Sequence, residues 1–325
     1  MADVGIDSGP EESTSGSVET TGQASLFRRL WAEFVGTTVF VAVGTGAATV
    51  LALGPLQRFG EIPQEAIGPG PGGDVFGALL ANTFGDILTV AFAFATVLAV
   101  LVYALGGVSG AHFNPAVTIS LAVARRFRWA DVAPYILVQC LGGIAGAFIV
   151  AGIYSDNGAA FAGTDIFFGA TVIGVDQFNA LLAEAFIAFI LVTAIMAVAV
   201  DPRAPKGWSG LIIGLGLAAG IVVTGAATGG SGNFARSLGP FVASLFYDTG
   251  KIPWDDLLIY AGGPVIGAAG AALVYESLTG LESIAPAPGP GAATPPADLD
   301  DLTDEGPGLR RPMEPPPPSG GTPTV

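Results

Sequence analysis

Residues 109–118 read Ser-Gly-Ala-His-Phe-Asn-Pro-Ala-Val-Thr, and residues 229–237 read Gly-Gly-Ser-Gly-Asn-Phe-Ala-Arg-Ser. In both stretches a Gly-containing turn leads to an asparagine, Asn114 or Asn233, which opens an apolar segment too short to cross a bilayer. Asparagine is a good helix N-cap because its side-chain oxygen accepts from free amides of the first turn. Its N–H groups can then point elsewhere. Polar backbone at membrane depth is tolerated only inside protein or along a water-filled cavity, so two such turns predict a pore.

The composition is that of a membrane protein. Of the 325 residues, 51% are hydrophobic and only 12% are charged. The formal net charge of −15 comes mostly from two tails rich in Pro, Gly, Ser and Thr, 1–25 and 281–325. These acidic tails have few large apolar residues, so we expect them to be disordered. The acidic balance argues against nucleic acid as a partner. The single cysteine, Cys140, excludes an internal disulfide.

Six apolar runs are long enough to span a bilayer, which takes roughly 20 residues. Two shorter segments follow the asparagines, 114–124 between the second and third spans and 233–246 between the fifth and sixth. If the spans alternate in direction, nearly all Lys and Arg lie on one side, and the positive-inside rule makes that side cytoplasmic. Both termini are then expected in the cytoplasm, and the protein in the plasma membrane. The six runs are residues 27–54, 84–105, 131–153, 178–200, 208–227 and 254–279.

The chain has the marks of an inverted repeat. The first short segment enters from the cytoplasmic side and the second from the opposite side, as such a repeat requires. Ala32-Glu33-Phe34 in the first span also matches Ala183-Glu184-Ala185-Phe186 in the fourth. We therefore predict an all-α multi-pass membrane protein with six transmembrane helices and two re-entrant half-helices. Its channel domain spans residues 26–280, with halves at about 26–153 and 177–280.

Over residues 26–280 the chain closely resembles the aquaporin and aquaglyceroporin family, the major intrinsic proteins. The string from His112 through Asn114, Pro115 and Ala116 is a highly specific match. The tails and the long loop 55–83 are unmatched. The resemblance implies an aquaporin-like fold and a homotetramer with one pore per subunit. It also implies no cofactor and no chemical reaction.

The second motif keeps Asn233, Ala235 and Arg236 of the family pattern but has Phe234 where the family has proline. Two interpretations stay open. In one, the Phe234 ring packs against the opposite motif and the half-helix forms as usual. In the other, the ring leans into the midplane and narrows or closes the pore.

In the family, a constriction is formed by one residue of the second span, one of the fifth, one just before the second asparagine, and an arginine. Counting from the motifs, the resemblance assigns these positions to Phe94, Ile221, Gly230 and Arg236. Strict water channels have histidine in place of Ile221, so this ring lacks a donor there and has an apolar wall, while Gly230 adds width. Such a ring is expected to suit glycerol. The Ile-Gly-Arg combination also resembles plant vacuolar members associated with ammonia. Against glycerol, Ser237 stands where glycerol facilitators usually have aspartate.

Three titratable residues inside the spans or motifs have a structural interpretation beside a functional one. Glu33 and Glu184 could form a proton relay, but their matched positions favour acceptors for backbone amides of the re-entrant loops. His112 is the only histidine, so a His-based metal site or catalytic triad has little support. We expect it to pack against the first loop, with pH sensing as the alternative.

The expected function is a passive channel for water and small uncharged solutes such as glycerol, excluding ions and protons. The partners are then those solutes and the lipid bilayer. The alternatives are a channel mainly for ammonia or urea and a secondary transporter, which would also have an inverted repeat. An enzyme is not expected, since the spans contain no nucleophile, metal cluster or paired acid and base.

Overall fold

The structure is a computed structural model that describes residues 24–59, 73–159, 168–247 and 252–281. Every regular element in these ranges is helical. Most of the two tails predicted to be disordered, 1–23 and 282–325, lies outside the described residues. The eight α-helices of the described ranges are α1 Leu26–Phe59, α2 Gly73–Ser109, α3 Pro115–Val123, α4 Trp129–Ala159, α5 Gln177–Ile195, α6 Ser209–Thr228, α7 Phe234–Ser244 and α8 Leu257–Thr279. A π-helical turn, Met196–Val200, continues α5, and a 3-10 turn, Trp254–Asp256, precedes α8.

Six of these helices are long and apolar enough to span a membrane, as the sequence predicts. The prediction of a loop over 55–83 is wrong in its outer parts, because α1 continues to Phe59 and α2 already begins at Gly73. Both helices are longer than the bilayer requires, and a hydropathy window detects only the segment that spans the bilayer. The spans are Leu26–Val50, Ile87–Ser109, Trp129–Tyr154, Gln177–Val200, Ser209–Thr228 and Trp254–Thr279.

The helices pack as two equivalent halves. Helix α1 packs against α4 and α5 packs against α8, while α2 and α6 pack against each other. The short helix α3 lies on α8 of the other half, and α7 lies on α4. Exchanging α1–α4 with α5–α8 reproduces this pattern of contacts. The architecture is therefore the predicted inverted repeat of three spans and one half-helix.

The two ends of the helical region lie on one side of the bundle, called here the terminal side. Arg29 near the start of α1 forms an ion pair of 2.7 Å with Asp131 at the start of α4, and both side chains are buried. Arg126, just before α4, donates from Nη2 to the carbonyl oxygen of Leu281 at 2.9 Å. The first residues of α1 and α4 and the last of α8 are thus tied together.

A second tie on the terminal side joins the α5–α6 connection to α8. The Asp201 carboxylate accepts from Arg203 Nε at 2.8 Å, Arg203 Nη2 at 2.6 Å and the Tyr275 hydroxyl at 3.0 Å. Arg203 also donates to the carbonyl oxygen of Thr279 at 3.2 Å. The hydrogen bonds from Arg203 outweigh burial and hold the pKa of Asp201 well below its ordinary value. The carboxylate is therefore charged, and the tie is in place, at neutral pH.

The half-helix α7 rests on α4 through backbone contact. A Cβ atom built on Gly143 of α4 would overlap the carbonyl oxygen of Ala235, and one built on Gly239 of α7 would overlap the carbonyl oxygen of Gly143. Small residues at both positions let the two backbones touch, which is the usual way that membrane helices approach closely. This contact fixes the position of the α7 N-terminus inside the bundle.

The Gly143→Ala variant is expected to destabilise the folded protein by about 1–3 kcal/mol, because the added methyl group forces α7 away from α4. The measurement is thermal unfolding in detergent. Gly152→Ala on the same helix is the matched control, since a Cβ atom there meets nothing within 4 Å. Equal melting temperatures of the two variants would contradict the proposed contact.

Candidate pore

Each half-helix begins at its motif asparagine. Asn114 has φ −154° and ψ 122°, and its Oδ1 accepts from Ala116 N at 2.9 Å. Pro115 then fills the first position of α3, where it has no amide to leave unpaired. Asn233 has φ −153° and ψ 110°, and its Oδ1 accepts from Ala235 N at 3.0 Å. The two caps have nearly identical backbone geometry.

The two asparagines also bind the opposite motif. Asn114 Nδ2 donates to the carbonyl oxygen of Gly232 at 2.8 Å, and Asn233 Nδ2 donates to the carbonyl oxygen of Phe113 at 2.9 Å. One N–H group of each amide therefore points away from its own cap and bonds to the opposite motif. A primary amide has two N–H donors, so in the described part of the chain one donor per asparagine is used neither by its own cap nor by these reciprocal bonds. These reciprocal bonds hold the two half-helix N-termini next to each other.

The loops before the asparagines have matching backbone conformations. The first loop has positive φ at Gly110, Ala111 and Phe113, which are four, three and one residues before Asn114. The second has positive φ at Gly229, Gly230 and Gly232, at the same distances from Asn233. Only the second loop has glycine at all three positions. A positive φ at Ala111 and Phe113 carries backbone strain, which the surrounding contacts must hold.

Glu33 supplies those contacts in the first loop. Its carboxylate accepts from His112 N at 3.0 Å, Phe113 N at 2.7 Å and the Ser109 hydroxyl at 2.7 Å. Gln139 of α4 donates to it at 2.8 Å. Glu33 is fully buried, so each of these donors would otherwise be unpaired deep in the bundle.

Glu184 makes the equivalent contacts in the second half. Its carboxylate accepts from Ser231 N at 3.1 Å, Gly232 N at 2.7 Å and the Thr228 hydroxyl at 2.6 Å. It too is fully buried. Both carboxylates are thus engaged by the backbone amides and the hydroxyl of the adjacent loop, which supports the structural interpretation over a proton relay.

One tyrosine completes each loop, and sequence reasoning missed both of these tyrosines. The Tyr135 hydroxyl donates to the carbonyl oxygen of Ser109 at 2.9 Å, and the Tyr260 hydroxyl donates to that of Thr228 at 2.8 Å. Both tyrosines are buried. Tyr135 lies 21 residues after Asn114 and Tyr260 lies 27 residues after Asn233, so the match between them becomes visible only when the two halves are aligned with a gap.

His112 lies inside the first loop, buried and packed on aromatic rings. Its Nδ1 is 3.1 Å from the Thr118 hydroxyl, and its ring centroid is 4.8 Å from that of Phe127 and 5.3 Å from that of Tyr135. The Nε2 atom has no protein partner in the part of the chain that the structure describes. The residue lines a cavity inside the bundle, between the asparagines and the terminal side, which is called here the central cavity. The ring is therefore a wall element of that cavity.

Phe94 and Arg236 lie together on the side of the asparagines away from the cavity. The Arg236 guanidinium carbon is 5.2 Å from the Phe94 ring centroid, and both residues are 2% exposed. Arg236 Nη1 donates to the carbonyl oxygen of Gly169 at 2.9 Å. Sequence reasoning missed Gly169, because nothing in the sequence of the α4–α5 connection indicates that it folds back into the bundle.

Ile221 and Gly230 form a second contacting pair. A Cβ atom built on Gly230 would lie 3.2 Å from Ile221 Cα and 3.3 Å from its Cγ2, and Gly230 has φ 58°. Gly230 therefore does more than leave space. It has a backbone conformation and a close approach that a β-branched side chain would strain.

A cavity of about 50 Å³ lies between the asparagines and the terminal side. It has room for a few water molecules. Asn114, Asn233 and Ser231 give it a polar end, and the remaining wall is mostly aliphatic. Along α2 and α6 the aliphatic positions repeat every four residues, so the walls continue the lines begun by Phe94 and Ile221. These wall residues are Leu98, Val102, Ile213 and Leu217.

Phe234 is half-buried at the first position of α7. Within the described residues, it is not among those that line the central cavity. Its ring therefore leaves that cavity open. No group of three or more His, Cys, Asp or Glu residues in the described ranges is arranged to hold a metal ion.

Six apolar spans around two half-helices that meet at their N-termini define a multi-pass membrane channel. The sequence model of the family described as Major intrinsic protein matches residues 20–275. This match covers well over half of the chain, and the chain belongs to the major intrinsic protein family. Members of this family are channels and not enzymes.

Individual relatives agree with this assignment. Aquaporin AqpM of Methanothermobacter thermautotrophicus is 39% identical over 257 residues, which are 78% of this chain and 98% of that protein. Aquaporin NIP3-1 of Zea mays is 34% identical over 256 residues, with 78% of this chain and 71% of that protein covered. The X-ray structure of the aquaglyceroporin from Plasmodium falciparum has a TM-score of 0.62 at 21% identity. The match covers 80% of this chain and 100% of that one, and it shows the shared fold.

The Phe234→Pro variant distinguishes the two interpretations of this unusual residue. A ring that only packs predicts a water permeability per protein within a few-fold of the parent, because Asn233 caps α7 either way. An obstructing ring predicts a gain of tenfold or more, equivalent to about 1.4 kcal/mol in the barrier. We expect the first result, measured by stopped-flow light scattering of proteoliposomes at matched protein density. The tenfold gain would contradict it.

Proposed function

We propose that this protein is a passive channel for water and small uncharged solutes such as glycerol, and that it excludes ions and protons. The observation that carries the proposal is the pair of reciprocal hydrogen bonds from Asn114 and Asn233. They hold two half-helix N-termini together in the bundle centre, with one N–H donor per asparagine unused by the opposite motif. A neutral molecule with a lone pair fits that pair of donors.

The path of the solute follows from the walls. The central cavity leads from the terminal side to the asparagines, and beyond them stand Phe94, Ile221, Gly230 and Arg236 as the selectivity filter. Few polar groups line this path. A passing molecule therefore gives up hydrogen bonds to water and gains a small number of hydrogen bonds from fixed donors of the protein. Short single-file contacts of this kind let a solute enter and leave without tight binding.

Exclusion of charge rests on two features. The α3 and α7 N-termini each carry roughly half a positive charge and face the same spot, which repels cations. Arg236 adds a full charge at the filter, held by Gly169 and with an Nε atom that has no protein partner among the described residues. Repulsion by half-helix dipoles and a pore arginine is the mechanism known for aquaporins in general. A molecule that accepts from both asparagines cannot also pass a proton along a chain of hydrogen bonds.

The solute range rests on the filter's composition. Phe94 and Ile221 are apolar and the Arg236 guanidinium lies over the Phe94 ring, so the filter suits a molecule with a carbon face and a hydroxyl face. The similar structure from Plasmodium falciparum is an aquaglyceroporin. Ammonia and urea are the second candidates, because the combination of Ile221, Gly230 and Arg236 resembles plant vacuolar members associated with ammonia.

The setting of the channel is part of the proposal. Arg28, Arg125, Arg128 and Lys206 are exposed on the terminal side, and the positive-inside rule places that side in the cytoplasm with both termini. We propose a plasma-membrane protein that assembles as a homotetramer, with one pore in each subunit. Large aliphatic and aromatic side chains exposed on α1, α2, α5 and α6 supply the apolar surface for lipid and for neighbouring subunits.

The test is the permeability of proteoliposomes to water, glycerol, urea and ammonia. We expect water and glycerol flux above that of empty vesicles, with no saturation and no dependence on an ion gradient. The Ile221→His variant should lower glycerol flux about tenfold while keeping water flux, since it replaces an apolar wall for the carbon face of glycerol with a polar ring that can donate to water. Gly230 is left unchanged because of its positive φ.

The matched control is Ile212→His, on the same helix at a position 37% exposed on the outside of the bundle. It should keep the glycerol-to-water ratio of the parent. Water flux no faster than in empty vesicles, with folded protein present, would contradict the channel. An unchanged glycerol-to-water ratio in Ile221→His would contradict the filter, and ammonia or urea flux without glycerol flux would favour the second candidates.

A further inference from the structure

The ring of Phe94 is enclosed on several sides. The Phe40 ring lies 5.1 Å away, centroid to centroid, at an angle of 57°. The Arg236 guanidinium covers one face. The remaining side is the backbone of α1 at Gly44. The ring reaches its position only because this third neighbour has no side chain.

Gly44 is the residue that makes room. A Cβ atom built on it would overlap the Cδ1, Cε1 and Cζ atoms of Phe94. Two residues further along α1, a Cβ atom built on Gly46 would lie 3.6 Å from Val150 Cγ2, which is an ordinary contact. Contact with Phe94 therefore requires a missing side chain at position 44, whereas position 46 has room for one.

Helix α1 cannot move away to accommodate a larger residue. Gly142 and Gly146 of α4 bring the two helix backbones together, since Cβ atoms there would lie 2.6 Å from the Phe34 carbonyl oxygen and 3.0 Å from Ala42 N. On the same face of α1, the turn at Gly169 is packed onto the backbone of Thr45. Because the backbones already touch, the Phe94 ring is the part that must shift.

We propose that Gly44 is a specificity-determining position that sets the width of the pore by letting the Phe94 ring withdraw toward α1. The inference rests on the proposed function, in which Phe94 belongs to the filter. With a methyl group at position 44, the ring moves away from α1, into the space beside Arg236. The opening narrows there, and a polyol of several carbon atoms is obstructed before water is. Gly44 touches no solute and acts through Phe94 alone.

The experiment compares the parent, G44A, F94L and the double variant G44A/F94L in proteoliposomes, with water and glycerol as the two probes. G44A should lower the glycerol-to-water ratio about tenfold, the effect of about one methylene in a fitted site. Leucine has no ring to displace, so G44A should leave the ratio unchanged when introduced into F94L. G46A is the matched control and should keep the parent's ratio.

Each outcome decides the proposal. An unchanged ratio in G44A, or an equal loss in the parent and F94L backgrounds, would overturn it, because the effect would not run through the ring. If G44A does not fold, recovery of folded protein in G44A/F94L supports the contact, and failure of that double variant to fold overturns it. A parent without flux of either probe would instead refute the proposed function and, with it, the basis of this inference.

Discussion

Two buried carboxylates determine how the centre of this bundle is built. Glu33 and Glu184 each accept two backbone amides and a hydroxyl from the loop that precedes a half-helix. Without these acceptors the amides would face a membrane interior that offers no water. Each unpaired amide there would cost several kcal/mol of folding free energy. The carboxylates hold the loops in left-handed conformations, and only then can the asparagines cap their helices and bond across to each other.

Arg236 and Gly230, which we propose for the filter, lie where the two halves differ. Three residues after the asparagine, the first half has Val117 and the second has Arg236. Three residues before it, the first half has Ala111 and the second has Gly230. Scaffold positions, in contrast, are occupied by the same kind of group in both halves, as with the carboxylates and tyrosines. Two similar halves thus hold the proposed filter on one side of the asparagines and a mostly apolar cavity on the other.

Much of the architecture could be predicted from the sequence, because membrane spans and helix caps depend on local residues. Hydropathy alone located the six spans, and the asparagine motifs located α3 and α7. The cross-motif bonds of Asn114 and Asn233 could not be predicted, since they join atoms more than a hundred residues apart. The contact between Gly169 and Arg236 depends on a connection folding back into the bundle, and the space behind Phe94 depends on the register of α1 against α2. The parts of α1 and α2 that extend beyond the bilayer were missed for a different reason, because hydropathy does not determine where a helix ends.

The central claim is that two facing half-helix N-termini pass neutral molecules and stop protons. The direct measurement is the water and proton permeability of the same proteoliposomes, with a trapped pH-sensitive dye, over a series of protein densities. The account predicts that water permeability rises in proportion to protein density while proton leak stays at the level of empty vesicles. A proton leak that rises together with water permeability would contradict it.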